Sequence, residues 1–333
     1  MTAITETVSI TKSGPDSEID RLDKRARNYQ TQSRSDATKS AYQSDWANFE
    51  QWCWGTGLCA VPAESSTVRR YITHLADIGR AVSTISRAMT SISQAHRVLN
   101  LPPPTAHPEV CETWKGIRRA IGTAQIRAKP LVLADLKRVI DAMRPNFLGR
   151  RDSALLLIGW AAALRRSEIV ALRRHDIDFV PEGMVITIRR SKTDQTREGY
   201  RIGIPFAQEE RYCPTKAIQK WIDLARIDTG PLFFRIGMGG KRFHCDVPSK
   251  DRETPLSDRM VNLIIRKAVG RAKIPTAGYT GHSLRAGFVT TAAKAQIPEA
   301  LIQLHTRHKT SKVLRDYIRD GDLFNSNPLS IIS

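Results

Sequence analysis

Met184-Val185-Ile186-Thr187-Ile188-Arg189 and Tyr200-Arg201-Ile202-Gly203-Ile204 are the two segments in which β-branched residues alternate or run together. That is the pattern of strands on a half-buried sheet. A polar stretch lies between them, so they read as one antiparallel pair. Sequence on either side follows helical spacing instead. The expected fold class is mainly α with a small antiparallel β-sheet.

Working outward from the pair, helices are expected C-terminal to it near residues 214–225, 257–271, 283–296, 298–305 and 311–319. On the N-terminal side, Leu131-Val132-Leu133-Ala134-Asp135-Leu136 opens a run with helices near 134–143, 150–163 and 167–172. These elements form one domain, residues 131–320, followed by a tail, 321–333. Residues 123–130 lack apolar periodicity, carry Arg127, Lys129 and Pro130, and read as a linker.

Residues 33–122 read as a separate, all-helical domain. Ser35-Asp36-Ala37-Thr38 is a helix start, and Tyr42, Trp46, Phe49 and Trp52-Cys53 follow at three-and-four spacing. A second helix covers Ser66–Ile78, with Val68, Tyr71, Ile72 and Leu75 on one face and Gly79 at its end. A third covers Ser83–Asn100 and stops at Leu101-Pro102-Pro103-Pro104. A fourth spans Pro108–Ile121. Residues 1–32 are polar and form a flexible arm, with helical character near Glu18–Tyr29.

The chain has 333 residues and a formal net charge of +19. In residues 1–30 the acids Glu6, Asp16, Glu18, Asp20 and Asp23 cancel the bases Lys12, Arg21, Lys24, Arg25 and Arg27. The excess is thus a property of the folded body, and a basic body calls for a polyanionic partner. Nucleic acid fits better than a membrane surface, because no basic helix with an aromatic or leucine face stands out. No apolar run approaches the roughly 18 residues that span a bilayer. The N-terminus lacks the basic-then-apolar order of a secretion signal, which makes the cytosol the expected location. Cys53, Cys59, Cys111, Cys213 and Cys245 are odd in number and widely spaced. They suggest neither a disulfide framework nor a zinc site.

Four segments carry groups suited to phosphate chemistry. In Ala163-Leu164-Arg165-Arg166-Ser167-Glu168, an apolar helix runs into arginines whose planar fork grips phosphate, and Glu168 can orient Arg165. Taken alone, this is equally a surface ion pair. Lys192, in Arg189-Arg190-Ser191-Lys192-Thr193-Asp194, lies between the paired strands, where a lysine can reach DNA and act as a general acid. Most hairpin lysines are simply solvated. In Gly281-His282-Ser283-Leu284-Arg285-Ala286-Gly287, His282 and Arg285 project from one face of a helix start, where backbone N–H groups also favour phosphate. A histidine capping the helix is the plainer reading. Finally, Tyr317 follows the basic stretch His305-Thr306-Arg307-His308-Lys309. A lone tyrosine near a chain end is usually just half-buried.

Taken in order, these segments resemble the tyrosine recombinase (phage integrase) family, with Cre-type site-specific recombinases nearest. Leu164-Arg165-x-Ser167-Glu168 is similar to the first arginine box, and Ser191-Lys192-Thr193 to the β-hairpin lysine. His282-x-x-Arg285 is similar to the second box, and His308 precedes Tyr317 by nine residues. The resemblance spans roughly residues 35–320. Two positions depart from it: Ala163 and Arg307 stand where many members have glycine. The second departure opens the choice between His308 and His305 for the pocket, and the spacing to Tyr317 favours His308.

The resemblance implies a helical core-binding domain at 33–122, a catalytic domain at 131–320, and a tail exchanged between subunits. It implies that Tyr317 attacks a DNA phosphodiester to give a 3′-phosphotyrosine and a free 5′-hydroxyl. Arg165 and Arg285 would bind the non-bridging oxygens and His308 would donate a further hydrogen bond. Lys192 would protonate the 5′-oxygen, and His282 would assist the tyrosine's proton transfer or bind phosphate. Glu168 would hold the arginine and histidine side chains. No cofactor, nucleotide or metal is expected. The expected partners are double-stranded DNA with paired inverted-repeat arms and further copies of the chain, a homotetramer exchanging strands through a Holliday junction. There is room for an accessory directionality factor. A type IB topoisomerase shares the chemistry, and a catalytically silent DNA-binding protein shares the charge.

Overall fold

A computed structural model describes residues 18–32, 35–122, 127–189, 199–236 and 253–308. The chain divides into two compact units, Met1–Gln125 and Ile126–Ser333.

The first unit contains α1 (Glu18–Gln32), α2 (Asp36–Thr56), α3 (Ser65–Asp77), α4 (Val82–Val98) and α5 (Pro108–Ile121). In α1 the side chains from Glu18 to Tyr29 are all exposed. Ser35 caps α2, its Oγ accepting from the Thr38 N–H at 3.2 Å. Gly57, at φ 70°, closes the helix in the left-handed conformation that a C-terminal cap needs. Helix α2 packs on α4, and α3 on α5. Between them Phe49, Val68, Ile72, Ile85, Ile92 and Val110 are fully buried. Each such side chain contributes about 1.5–3 kcal/mol by leaving water. Phe49 and Trp52 lie against Tyr71, with ring centroids 4.9 and 5.2 Å apart. Buried His96 fastens the loop before α3: its Nε2 accepts from the Ala63 N–H at 2.9 Å. Its proton therefore sits on Nδ1, which donates to the Ile92 carbonyl at 2.9 Å.

The second unit contains α6 (Leu133–Asp141), α7 (Phe147–Ala161), α8 (Arg166–Ala171), β1 (Ile177–Val180), β2 (Gly183–Ile188), β3 (Tyr200–Pro205), α9 (Pro214–Ala225), α10 (Asp258–Arg271), α11 (His282–Lys294) and α12 (Glu299–Thr306). The sheet is antiparallel in the order β1-β2-β3. Met184 pairs with Ile204 and Ile186 with Ile202, which puts all four buried residues on one face. Strand β1 is an addition to the strand pair expected from the sequence. Only Ile177 of its four residues is buried. Its pairing with β2 makes it a strand, because its own sequence has no alternation long enough to read.

Helix α7 is buried on nearly every side, with Ala154 through Gly159 all inaccessible. It packs on α9 and α11. Two glycines allow α11 its close approach. A Cβ at Gly159 would lie 2.8 Å from the Leu284 side chain, and one at Gly287 would lie 1.8 Å from the Leu131 carbonyl oxygen. That same carbonyl accepts the Trp160 indole N–H at 2.9 Å. The Leu131 strap, α7 and the N-terminal half of α11 are thereby locked together. Among the described residues, no helix is long and apolar enough to cross a membrane.

Candidate active site

Two helix ends build the site, and they close in the same way. At the end of α7 the Leu164 N–H reaches back to the Gly159 carbonyl and the Ala163 N–H to Trp160, at 2.9 and 3.0 Å. At the end of α12 the His308 N–H reaches Gln303 and the Arg307 N–H reaches Leu304, at 3.3 and 3.2 Å. Both are Schellman closures, which require a left-handed residue just past the helix and usually take glycine there. Here the left-handed residues are Ala163, at φ 46°, and Arg307, at φ 58°. They are the two positions at which the sequence departs from the glycine pattern. The first turn delivers Arg165 to the N-cap of α8, and the second delivers His308.

Glu168, its side chain 1% exposed, sits between these turns. Its Oε1 accepts from Arg165 Nη1 at 2.7 Å. Its Oε2 accepts from the Arg165 backbone N–H and from Arg307 Nη2, both at 2.9 Å. Burial works against the charge on Glu168, but Arg307, the Arg165 N–H and the Arg165 guanidinium outweigh it and hold its carboxyl below the usual range. Arg285, buried on α11, donates from Nη1 to the Ala163 carbonyl at 2.8 Å. Arg307 Nη2 reaches the same oxygen at 3.4 Å. The guanidinium groups of Arg165, Arg285 and Arg307 thus converge on one carboxylate and one carbonyl. One negative charge among three positive ones leaves a surplus that suits an anion.

His308 joins the group through Arg285, whose Nε donates to His308 Nε2 at 3.4 Å. Its Nδ1 lies 2.7 Å from the Thr306 hydroxyl. That hydroxyl donates its own proton to the Ile302 carbonyl at 2.7 Å, so it accepts from His308 Nδ1–H. His308 is therefore a neutral ring with its proton on Nδ1. Burial, then Arg285, Arg165, His282 and Arg307, push its pKa down to about 3. His282 is exposed at the first turn of α11, close enough to act on His308 electrostatically. His305 is turned elsewhere: it stacks on Phe288 at 4.6 Å and 17°, and its Nε2 donates to the Ala161 carbonyl at 2.7 Å. Burial lowers its pKa.

Arg165, Glu168, Arg285 and His308 are thus brought together, with His282 beside them. Lys192 and Tyr317, and with them the expected helix at 311–319 and the tail, lie outside the described residues. Three contributors were not singled out from the sequence. Thr306 fixes the His308 tautomer. Tyr200 donates its hydroxyl proton to the Leu304 carbonyl at 2.9 Å and sets its ring 5.8 Å from the Arg307 guanidinium carbon. Arg307 is marked in the sequence only by standing where glycine is usual. Thr306, two residues before His308, was the one signal available; Tyr200 at a strand start had none.

Residues 131–322 match the phage integrase family. An integrase/recombinase XerD homologue of Selenomonas ruminantium is 37% identical over 315 residues, covering 93% of this chain and 89% of that one. The tyrosine recombinase XerC of Azotobacter vinelandii is 26% identical, covering 70% and 69%. Among solved structures, the Tn1549 transposon integrase with transposon right-end DNA has a TM-score of 0.59 at 16% identity, covering 88% of this chain and 92% of that one. The XerH site-specific recombinase bound to palindromic difH substrate has a TM-score of 0.57 at 13% identity, covering 80% and 72%. These two structures agree with the fold, a mostly helical chain with a small antiparallel sheet. With a family match over more than half its length and a close relative along nearly all of it, this chain belongs to the phage integrase family, the tyrosine recombinases.

Proposed function

We propose that this chain is a site-specific DNA recombinase that cuts and rejoins strands through a 3′-phosphotyrosine on Tyr317. The observation that carries the reading is the convergence of Arg165, Arg285 and His308 around Glu168, a pocket with surplus positive charge on a family member that also has Lys192 and Tyr317 in order. Tyr317 gives up its phenolic proton, with His282 assisting the transfer, as its Oη attacks phosphorus; the bond to the 5′-oxygen breaks, and Lys192 protonates that oxygen. Arg165 and Arg285 neutralise the non-bridging oxygens as charge builds in the transition state. His308 can donate to a phosphate oxygen from Nε2 once the ring is protonated, and an arriving phosphate favours that charge. The phosphotyrosine keeps the bond energy for rejoining, so neither nucleotide nor metal is called for.

DNA affinity comes from many phosphate contacts. In the first unit a groove lined by Arg69, Arg70, Thr73, His74, Asp77 and Thr113 would offer its two arginines to some of them. The active assembly is a homotetramer on two sites with inverted-repeat arms, exchanging strands through a Holliday junction. The tail, residues 321–333, docks on a neighbouring copy.

The test is Tyr317→Phe on a nicked duplex carrying the site that the wild-type chain selects from a random pool. The wild type should form a covalent protein–DNA adduct. The variant should form none while binding the duplex nearly as well, because only the nucleophile is gone. An adduct in the phenylalanine variant would remove Tyr317 from the reaction.

A further inference from the structure

We propose that Arg307 is a positioning residue of the phosphate site, binding the Arg165 arm and the Arg285 arm into one fixed geometry. The inference rests on the strand-cleavage reading above. Three observations carry it, beyond a left-handed backbone (φ 58°) that Arg307 shares with Asn100, Ala163, Arg226, Lys273 and Gln296 among the described residues. The Arg307 side chain is 6% exposed, an expensive place for a cation. Burial depresses its pKa and Glu168 works the other way. Its Nη2 bridges Glu168 Oε2, at 2.9 Å, and the Ala163 carbonyl, at 3.4 Å. Its Nε and Nη1 are buried with no hydrogen-bond partner among the described residues.

The bridge has a definite consequence. Glu168 holds Arg165, and the Ala163 carbonyl holds Arg285. Arg307 is bonded to both holders. With it in place, the two phosphate-gripping guanidiniums cannot drift independently, and His308, the next residue, is carried on the same turn. A helix cap alone does not account for this arrangement. Glycine closes such a turn with no steric penalty, with no buried charge and with no donors left over.

The experiment compares wild type, Arg307→Gly and Arg307→Lys on the nicked duplex described above. Glycine suits the left-handed position, so it spares the turn while deleting the bridge. Lysine keeps the charge beside Glu168 but lacks the planar fork. Single-turnover cleavage at saturating protein should fall about 100-fold in Arg307→Gly, the scale expected when reacting groups are misplaced by about an ångström. Arg307→Lys should fall between it and wild type. DNA affinity should be nearly unchanged in both. Millimolar methylguanidinium should restore much of the rate to Arg307→Gly and none to Tyr317→Phe. A purely structural arginine predicts no such rescue and no split between cleavage and binding. Wild-type cleavage rates in both variants would overturn this proposal alone, as would a rate loss matched by the loss of DNA binding and indifferent to methylguanidinium. Absence of an adduct in the wild type would overturn the recombinase reading itself.

Discussion

At the scale of single residues, the tautomer of His308 sets how the site responds to acid. Its Nδ1 proton is committed to Thr306, and its Nε2 accepts from Arg285. Protonation would put a charge on that ring among three arginines. Its pKa is about 3 when folded, against the ordinary 6.5 of an unfolded chain. Between those values the unfolded chain binds more protons, so stability falls as pH falls. Glu168 has the same sign: its carboxyl is held below its ordinary value, so its contribution is present above the carboxylate range and disappears below it. From pH 7 to pH 5 His308 contributes and Glu168 does not; His305, lowered in the same direction, is common to the two proteins compared below and cancels. Discounted for partial exposure, the share of His308 is about 1 kcal/mol. Urea unfolding at both pH values should therefore show wild type losing about that much more stability than His308→Gln. Identical losses in the two proteins would mean that the arginines do not disfavour protonation of this ring.

At the scale of elements, the site depends on where α7 and α11 meet. Arg285 reaches the Ala163 carbonyl because Gly287, less than one turn further along α11, lies against the Leu131 carbonyl. Adding a methyl there collides with backbone, so α11 must shift. Gly287→Ala should cost about 1–3 kcal/mol in stability, as overpacked cores do. It should slow strand cleavage more than it weakens DNA binding. Gly116→Ala, on an exposed face of α5 with open space at the Cβ position, is the control. It should gain about 0.5–1 kcal/mol. A Gly287→Ala protein as stable and active as wild type would mean that the contact does not position Arg285. Helices were legible from sequence because amphipathic spacing reports burial directly: α5 and α9 have the expected bounds, and α3 and α4 differ by at most two residues. The apolar run into Ala163 gave no sign that α7 stops at Ala161. A left-handed alanine or arginine carries no local signal of the kind a glycine gives. Strand β1 was hidden for a different reason, since its partner β2 defines it. The charges at Arg165, Glu168 and Arg285 could be read off, whereas the bridge through Arg307 could not, because it is made across residues 139 positions apart.

At the scale of the whole molecule, the decisive question is what covers the outer face of α12. Leu301 and Leu304 lie three residues apart on this helix and are 56% and 62% exposed, with Ile297 just ahead of it at 45%. Three large apolar side chains so close together make a face that usually has a partner. The tail offers matching chemistry: Leu323, Phe324, Leu329, Ile331 and Ile332 follow Gly321, and a segment this short cannot bury them against itself. In the proposed assembly the tail of one copy covers this face on the next. Because α12 leads directly into Arg307 and His308, docking would then be felt at the phosphate site. Deleting residues 322–333 should weaken cooperative binding to a two-arm site while leaving single half-site binding nearly unchanged. Recombination should fall more than half-site affinity. The double substitution Leu301→Ser, Leu304→Ser should reproduce the loss of cooperativity and add little to the deletion, since both remove the same contact. Gel shifts across a protein titration read all three. Unchanged cooperativity in the deletion would place the tail on its own subunit or leave it idle. Full additivity between the deletion and the double substitution would mean that the tail docks elsewhere.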